Sequence, residues 1–423
     1  MRYEKYDAYS DSGVEWLGEI PESWGIKKIG QCFEQRKEKV SDKDFEPLSV
    51  TMKGIVPRLE SAAKTTAGDD RKKVCKGDFV INSRSDRKGS SGVSPLDGSV
   101  SLISIILKPI KHEGAYIHHL LRSYEFQEEF YRYGRGIVDD LWTTRYTEMK
   151  NIFLPLPPKS EQKAIADFID KKTSEIDTHI VKQERLIELL KERRSAIINS
   201  AVTRGLNENV KFKDSEIEWL GEIPEHWEVK KIKHLSLVKR GSSPRPIDDP
   251  RYFDDEGEFA WVRIADVSKN SKYLLHTTQR LSKLGASKST KIYPQQIFLS
   301  IAGTVGKPMI SKIKCCIHDG FVWFDKLSTK INIDFLYYIF LNGEAYKGLG
   351  KLGTQLNLNT DTVGMISIPL PTDEEQMQIV NFIKKEDDKF YNLLTAVQKE
   401  IAYLKEYRKS FISNAVTGKI KVI

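Results

Sequence analysis

Between Ile169 and Ala201 one set of positions recurs at intervals of four and three without a break: Ile169, Thr173, Ile176, Ile180, Gln183, Ile187, Leu190, Arg194, Ile197 and Ala201. No glycine or proline falls in this stretch before Gly205. A helix presents such spacing as a narrow stripe along one side, so the pattern predicts a long helix with a coiled-coil seam. The spacing returns 214 residues later at Ile383, Asp387, Phe390, Leu394, Val397, Ile401, Leu404, Arg408, Phe411 and Ala415. Two helices of about 33 residues, roughly 50 Å each by helical rise, are expected to pair, because a stripe this narrow suits a partner helix better than a broad core. The spacer contacts are expected from Ile176, Ile180, Ile187, Leu190 and Ile197 on one helix and Phe390, Leu394, Val397, Ile401, Leu404 and Phe411 on the other.

Elsewhere the period changes. From about 31 to 153, short apolar runs such as Asp78-Phe-Val-Ile-Asn82 and Val100-Ser-Leu-Ile-Ser-Ile-Ile-Leu107 stand between Gly, Ser, Asp and Lys clusters, which predicts strands and hairpins. Ile117, Leu120, Leu121, Tyr124, Phe126 and Phe130 then follow at helical spacing and predict a helix over 116–133. A second middle, about 233–367, repeats the plan with different residues, including a strand at Gln296-Ile-Phe-Leu-Ser300. The next segment, Ile301-Ala-Gly-Thr-Val-Gly-Lys-Pro308, is read as a hairpin loop. A phosphate-binding loop needs glycine where Ile301 stands and a hydroxyl where Pro308 stands.

The two middles are framed by repeated blocks. Trp16-Leu-Gly-Glu-Ile-Pro21, followed by Trp24, matches Trp219-Leu-Gly-Glu-Ile-Pro224 and Trp227 at an offset of 203, and its Gly-Glu-Ile-Pro reads as a docking turn. Leu154-Pro-Leu-Pro157 with Glu161-Gln162 matches Ile368-Pro-Leu-Pro371 with Glu375-Gln376 at an offset of 214. Consecutive prolines predict an extended exit before each helix. The expected divisions are a Trp-box segment 1–30, a first domain 31–158, a helix 159–204, a Trp box and second domain 205–372, and a helix 373–423. The expected fold class is α+β: two homologous mixed α/β domains separated by a two-helix antiparallel coiled coil in a pseudo-twofold circular arrangement. Only an antiparallel pair makes both helix-to-Trp-box junctions equivalent, so the second helix should end at the Trp16 box.

Net charge is +8, which suits a polyanionic partner without requiring one. Residues 160–204 and 373–423 each carry 9 basic and 8 acidic side chains, so the excess lies in the rest of the chain. The stretch 82–93, with three cations, four serines and two glycines, is read as a mobile loop suited to phosphates and base edges. The candidate DNA contacts are Arg84, Arg87, Lys88, Ser90 and Arg145 in the first middle, and Arg240, Ser242, Arg245, Arg263, Gln355 and Asn357 in the second. No H-E-x-x-H, G-x-S-x-G, P-loop or dinucleotide fingerprint occurs. The acid pairs Asp139-Asp140, Asp248-Asp249 and Asp254-Asp255 read as solvated turns, and neither a metal site nor a cofactor is expected in this chain. Four cysteines without metal-ligand spacing, and no apolar run of spanning length, point to a cytoplasmic protein without membrane contact.

The whole arrangement of Trp box, variable middle, Pro-Leu-Pro exit, Glu-Gln and heptad helix, repeated once, resembles the DNA-specificity (S) subunit of type I restriction-modification enzymes. The resemblance covers essentially the full chain. It implies two target-recognition domains, each reading one half of a split sequence in double-stranded DNA, with the helices as spacers. It also implies two modification (methyltransferase) subunits that methylate adenine and restriction (motor-nuclease) subunits that cut unmodified DNA, with S-adenosylmethionine, ATP and Mg in those partners. The second middle follows the family pattern at Gly353-Thr-Gln355, while the first carries Gly136-Ile-Val-Asp-Asp-Leu-Trp-Thr-Thr-Arg145 there. Two other readings fit the residues: a solitary DNA-binding protein of the same fold, discriminated by a neighbouring methyltransferase gene, and a protein-only coiled-coil scaffold, excluded by binding to duplex DNA. A nuclease acting alone ranks below both.

Overall fold

The structure, a computed structural model, describes residues 3–59, 70–110, 113–136, 142–346, 349 and 358–422. It resolves into two compact units, residues 1–184 with 398–423, and residues 185–397. Each unit holds a Trp box, one mixed α/β domain, the start of one long helix and the end of the other.

The long helices are Lys159–Arg204 and Asp373–Val416, 46 and 44 residues. Each is longer than its seam because helical hydrogen bonding begins at once after the prolines, with Gln162 N–H donating to Pro158 O, and the second helix stops at Val416 short of the expected 423. Burial follows the expected 4-3 spacing. Ile176, Ile180, Val397, Ile401 and Phe411 are buried, Ile187, Leu190, Ile197, Phe390, Leu394 and Leu404 are partly buried, and most intervening positions are exposed. Within the first unit Asp177 pairs with Arg408 (2.8 Å) while His179 and Gln183 meet Glu400 (2.9 and 3.0 Å), so partner numbers fall as the first helix advances. The segments are therefore antiparallel.

The repeated blocks fold alike. Tyr9–Asp11 pairs with Glu19–Pro21, and Phe212–Asp214 pairs with Glu222–Pro224 in the identical register. The turn thus comes earlier than expected, at 15–17 and 218–220, each followed by a glycine at positive φ, Gly18 and Gly221, and Glu-Ile-Pro is a short strand. The proline-rich exits are strands as well: Phe153–Leu156 pairs with Gly25–Lys28 and Ser367–Leu370 with Glu228–Lys231. These two ladders join the block with offset 203 to the block with offset 214. All 11 residues of length difference lie between them.

The first domain packs a four-stranded antiparallel sheet, in the order Ser91–Val93, Phe79–Asn82, Ser104–Pro109, Phe33–Gln35, beside a three-stranded sheet and the hairpin Leu48–Thr51/Gly54–Pro57. The run 100–107 is not one strand. Leu102 and Ile103, 36% and 41% exposed, form a turn between Gly98–Val100 and Ser104–Pro109. The single helix expected over 116–133 is two, Gly114–Leu120 and Tyr124–Arg132, because Ser123 takes an extended backbone and its hydroxyl accepts from Phe126 N–H as a cap.

The second domain has a five-stranded sheet, in the order Leu237–Arg240, Phe321–Asp325, Ile297–Ser300, Pro308–Ser311, Tyr273–Leu274, and a four-stranded sheet, Gln279–Leu281, Phe259–Val262, Cys315–Ile317, Thr290–Ile292. Ile297–Ser300 and Pro308–Ser311 are antiparallel neighbours, so 301–307 is the hairpin loop expected. Lys307 is turned inward and donates to Val267 O and Asn270 O (2.6 and 3.1 Å), away from any phosphate.

At the chain's end the second helix does meet the first Trp box. Lys419 Nζ donates to Leu17 O (2.9 Å) and Tyr9 OH to Gly418 O (3.0 Å). Gly418 has positive φ, and a Cβ there would overlap Pro21, so the junction requires glycine. In the second unit Gly205, also at positive φ, packs on Trp227, less tightly than Gly418 on Pro21.

Candidate nucleic-acid interface

In the first unit the stretch 82–93 holds a turn and a paired strand where a loop was expected. Ser85–Arg87 forms a 3-10 turn and Ser91–Val93 returns as a strand against Phe79–Asn82. Its serines are partly structural: Ser83, Ser90 and Ser91 are buried, Ser90 at 6% exposure, which removes Ser90 from the candidate contacts. Ser85 N–H donates to Trp142 O (2.9 Å) and Thr144 N–H to Ser83 O (3.0 Å), while Thr143 bridges both Arg84 and Arg135. The backbone thereby brings Arg84 and Arg135 together across Thr143, with exposed Arg87 in the adjoining turn and exposed Arg145 two residues beyond Thr143. Arg135 was missed in the sequence, since only the bridge to Thr143 sets it beside Arg84.

Lys88 is paired within its own domain. Its Nζ sits 2.5 Å from Glu128 and faces the Tyr131 ring, and the ammonium holds the Glu128 carboxyl below the usual range. The pair is as exposed as that of Arg84 with Asp86. Arg84 is 3.2 Å from Asp86, an exposed contact that a phosphate can replace.

In the second unit four candidates converge on one end of the four-stranded sheet. Val262 pairs with Ile317 in parallel, so Arg263 and His318 continue side by side beyond it. Asp319 organises the neighbouring loop: its carbonyl accepts from Arg240 Nε (2.7 Å), and its carboxylate from Ser243 Oγ and Arg245 Nη2 (3.2 Å each). Ser242 N–H donates to Ile317 O (3.1 Å), and its hydroxyl lies 3.0 Å from that of Thr290. Arg263 is steadied by the hydroxyl of Thr278, which also lies 3.2 Å from Asp266. Arg240, Ser242, Arg245 and Arg263 are all exposed. Gln355 and Asn357 lie outside the described residues, as do Asp139 and Asp140. Asp249 pairs with Arg251 (2.6 Å) and caps the turn Pro250–Tyr252, while exposed Asp254 and Asp255 occupy a loop.

Among the described residues no group of three or more His, Cys, Asp or Glu is placed to hold a metal ion. Burial pushes the thiols of Cys315 and Cys316 up to about 12 and that of Cys32 to about 11, which makes them poor nucleophiles near neutrality. No helix among the described residues is long and apolar enough to cross a membrane.

The sequence matches the family described as Type I restriction modification DNA specificity domain over residues 21–189 and again over 224–403. The chain belongs to the type I restriction-modification DNA specificity family. The two matches start 203 residues apart and end 214 apart, the same offsets that the framework strands carry. This specificity subunit is similar to the type I restriction enzyme MjaVIII specificity subunit of Methanocaldococcus jannaschii, 26% identical over 432 residues, 95% of this chain and 94% of the relative. In fold it is similar to a chain from work on complex assembly and conformational transition of the type I R-M system, with TM-score 0.72 and 16% identity over 94% of this chain and 98% of that one. The HsdS subunit from Thermoanaerobacter tengcongensis aligns at TM-score 0.56 and 18% identity, over 95% and 98%.

The specificity subunit fastens each recognition domain by the Glu-Gln pair that opens each long helix. Glu161 Oε1 accepts from Trp24 Nε1 (3.1 Å), and Glu375 Oε1 from Trp227 Nε1 (3.1 Å). Gln162 accepts from Glu113 N–H (3.1 Å) and donates to Pro157 O (2.9 Å). Gln376 accepts from Asn332 N–H (2.7 Å) and donates to Pro371 O (3.0 Å). The glutamate holds the Trp box and the glutamine holds both the exit strand and the N-cap of a domain helix. The motif was visible as a repeat, but its role needed partners that are 44 to 148 residues away.

Proposed function

We propose that this chain is the non-catalytic targeting subunit of a type I complex, each recognition domain reading one half of a bipartite target in double-stranded DNA. The observation that carries this is the presence of two specificity domains on one chain, each with its own core and its own Glu-Gln fastening. Arg84, Arg87, Arg135 and Arg145 contact one half-site, and Arg240, Ser242, Arg245 and Arg263 the other. Guanidinium groups on ordered loops suit both phosphate oxygens and guanine edges. Two modification subunits using S-adenosylmethionine supply adenine methylation, and motor-nuclease subunits using ATP and Mg supply cleavage.

The test is methylation of duplex DNA by the purified chain with and without its modification subunit and S-adenosylmethionine. Methylation is expected only in the reconstituted complex, within one bipartite motif. Turnover by the chain alone would contradict the targeting role.

A further inference from the structure

The ring of His318 sits at the end of the four-stranded sheet beside Arg263 and is held from several directions. Its centroid lies 4.6 Å from that of Phe321 and 6.0 Å from that of Trp261. Gly320 N–H donates to its Nδ1 over 2.9 Å. A Cβ on Gly320 would overlap the ring, and one on Gly241 would overlap the His318 carbonyl, so both neighbouring segments close on this residue in a way that glycine permits. An Nδ1 that accepts leaves the single proton of the neutral ring on Nε2. Burial favours that neutral form by lowering the ring's pKa against the pull of Asp319. Nε2 has no hydrogen-bond partner among the described residues and is not enclosed, the side chain keeping 18% of its surface exposed. A donor with a fixed tautomer thus opens at this edge.

The side chains around it are donors too. Arg240 uses Nε on the Asp319 carbonyl, Arg245 one nitrogen on its carboxylate and Arg263 one on Thr278, and each keeps further N–H groups. The Asp319 carboxylate already accepts from Ser243 Oγ and Arg245 Nη2. We propose, on the reading that the second domain contacts DNA, that His318 is a specificity-determining residue that donates from Nε2 to a guanine in the major groove of the second half-site. Guanine presents two acceptors there, N7 and O6, and no donor. Adenine and cytosine would set an amino group against the donors, and thymine offers one acceptor beside a methyl group.

The experiment measures binding of duplexes by the full-length chain assembled with its modification subunit, each base pair of the methylated motif being changed in turn. His318→Asn keeps an oxygen that can accept from Gly320 N–H but does not reach as far as Nε2, and Gly320→Ala pushes the ring aside without removing it. Both should reduce the preference for guanine at one and the same position of the second half-site by about tenfold, with the first half-site read as before. His318→Gln, whose amide N–H reaches nearly as far as Nε2, should retain most of that preference. An unchanged preference, or a uniform weakening that leaves every base preference intact, would overturn the proposal, as would a loss confined to a position that is not guanine. If Gly320→Ala does not fold, His318→Asn and His318→Gln decide between these outcomes. A native complex with no base preference in either half would overturn the DNA-targeting reading itself, and this assignment with it.

Discussion

The indole N–H of Trp24 donates to Glu161 Oε1 over 3.1 Å, and Tyr6 OH reaches the same oxygen at 2.6 Å. Glu161 is buried, so nothing in solvent can replace it. Glu161→Ala strands two donors and is expected to cost about 2–3 kcal/mol of stability, while Glu161→Gln retains an acceptor and costs less. Denaturant melts measure the difference, and a loss under about 0.5 kcal/mol for the alanine would disprove the fastening role.

Arg194 and Arg408 are equivalent seam residues with unequal partners. Arg194 and Asp387 are both largely buried, at 22% and 15% side-chain exposure, whereas Arg408 and Asp177 stand at 38% and 53%. Asp387→Ala leaves a guanidinium unpaired against apolar neighbours and is expected to cost about 3 kcal/mol. Asp177→Ala should cost at most about 1 kcal/mol. Replacing Arg194 and Asp387 together by leucine should recover most of the loss. Equal losses for the two single alanines would show that burial does not distinguish the pairs.

His118 and Glu375 should respond to acid in different windows. Burial, then the neighbouring Arg122 and His119, push His118 down to about 3, and two donors, Val93 N–H and Arg122 Nη1, already face its ring. A histidine free in the unfolded chain titrates near 6.5, about its ordinary value, so the stability that neutral His118 contributes to the first unit is complete above that pH and is lost progressively as pH falls toward 3. Glu375 behaves otherwise: burial opposes its charge, but hydrogen bonds from His226, Trp227 and Thr372 outweigh burial and hold its carboxyl below the usual range. Its contribution is present above about 4.3 and is lost only as pH falls through the lower folded value. An NMR titration should find His118 neutral at pH 5, and His118→Gln should flatten the first unit's decline. A His118 titrating near 6.5 would refute this.

Gly13 and Glu216 occupy the same hairpin position, at φ 65° and 60°. Left-handed backbone costs a non-glycine residue about 1–2 kcal/mol, and glycine gives back about 0.5–1 in chain entropy. Glu216→Gly is therefore expected to stabilise the second unit by about 0.5–1 kcal/mol. A lower melting temperature for that variant would count against it.

Local patterns were legible in the sequence where one period ran unbroken, as from Ile169 to Ala201, and where a repeat compared the chain with itself. They failed where a single residue breaks a run. Ser123 divides one apolar helical pattern into two helices, and Leu102-Ile103 divides one strand-like run because two apolar side chains take a turn. Contacts were legible only by residue type. Lys88 looks like Arg87 in sequence, yet Glu128, 40 residues away, pairs with it, and Ser90 is buried by the strand that Ser91–Val93 makes. Arg240, Ser242, Arg245 and Arg263 were recognised individually, but their convergence depends on the Val262 to Ile317 register and on Asp319.

Each recognition domain is expected to carry one half-site. The direct measurement is the methylated motif obtained when residues 31–153 are replaced by the matching segment of another specificity subunit and the complex is reconstituted with its modification subunit. One half of the motif should change while the other half and the spacer length stay as in the native complex. A change in both halves together, or in neither, would contradict the claim.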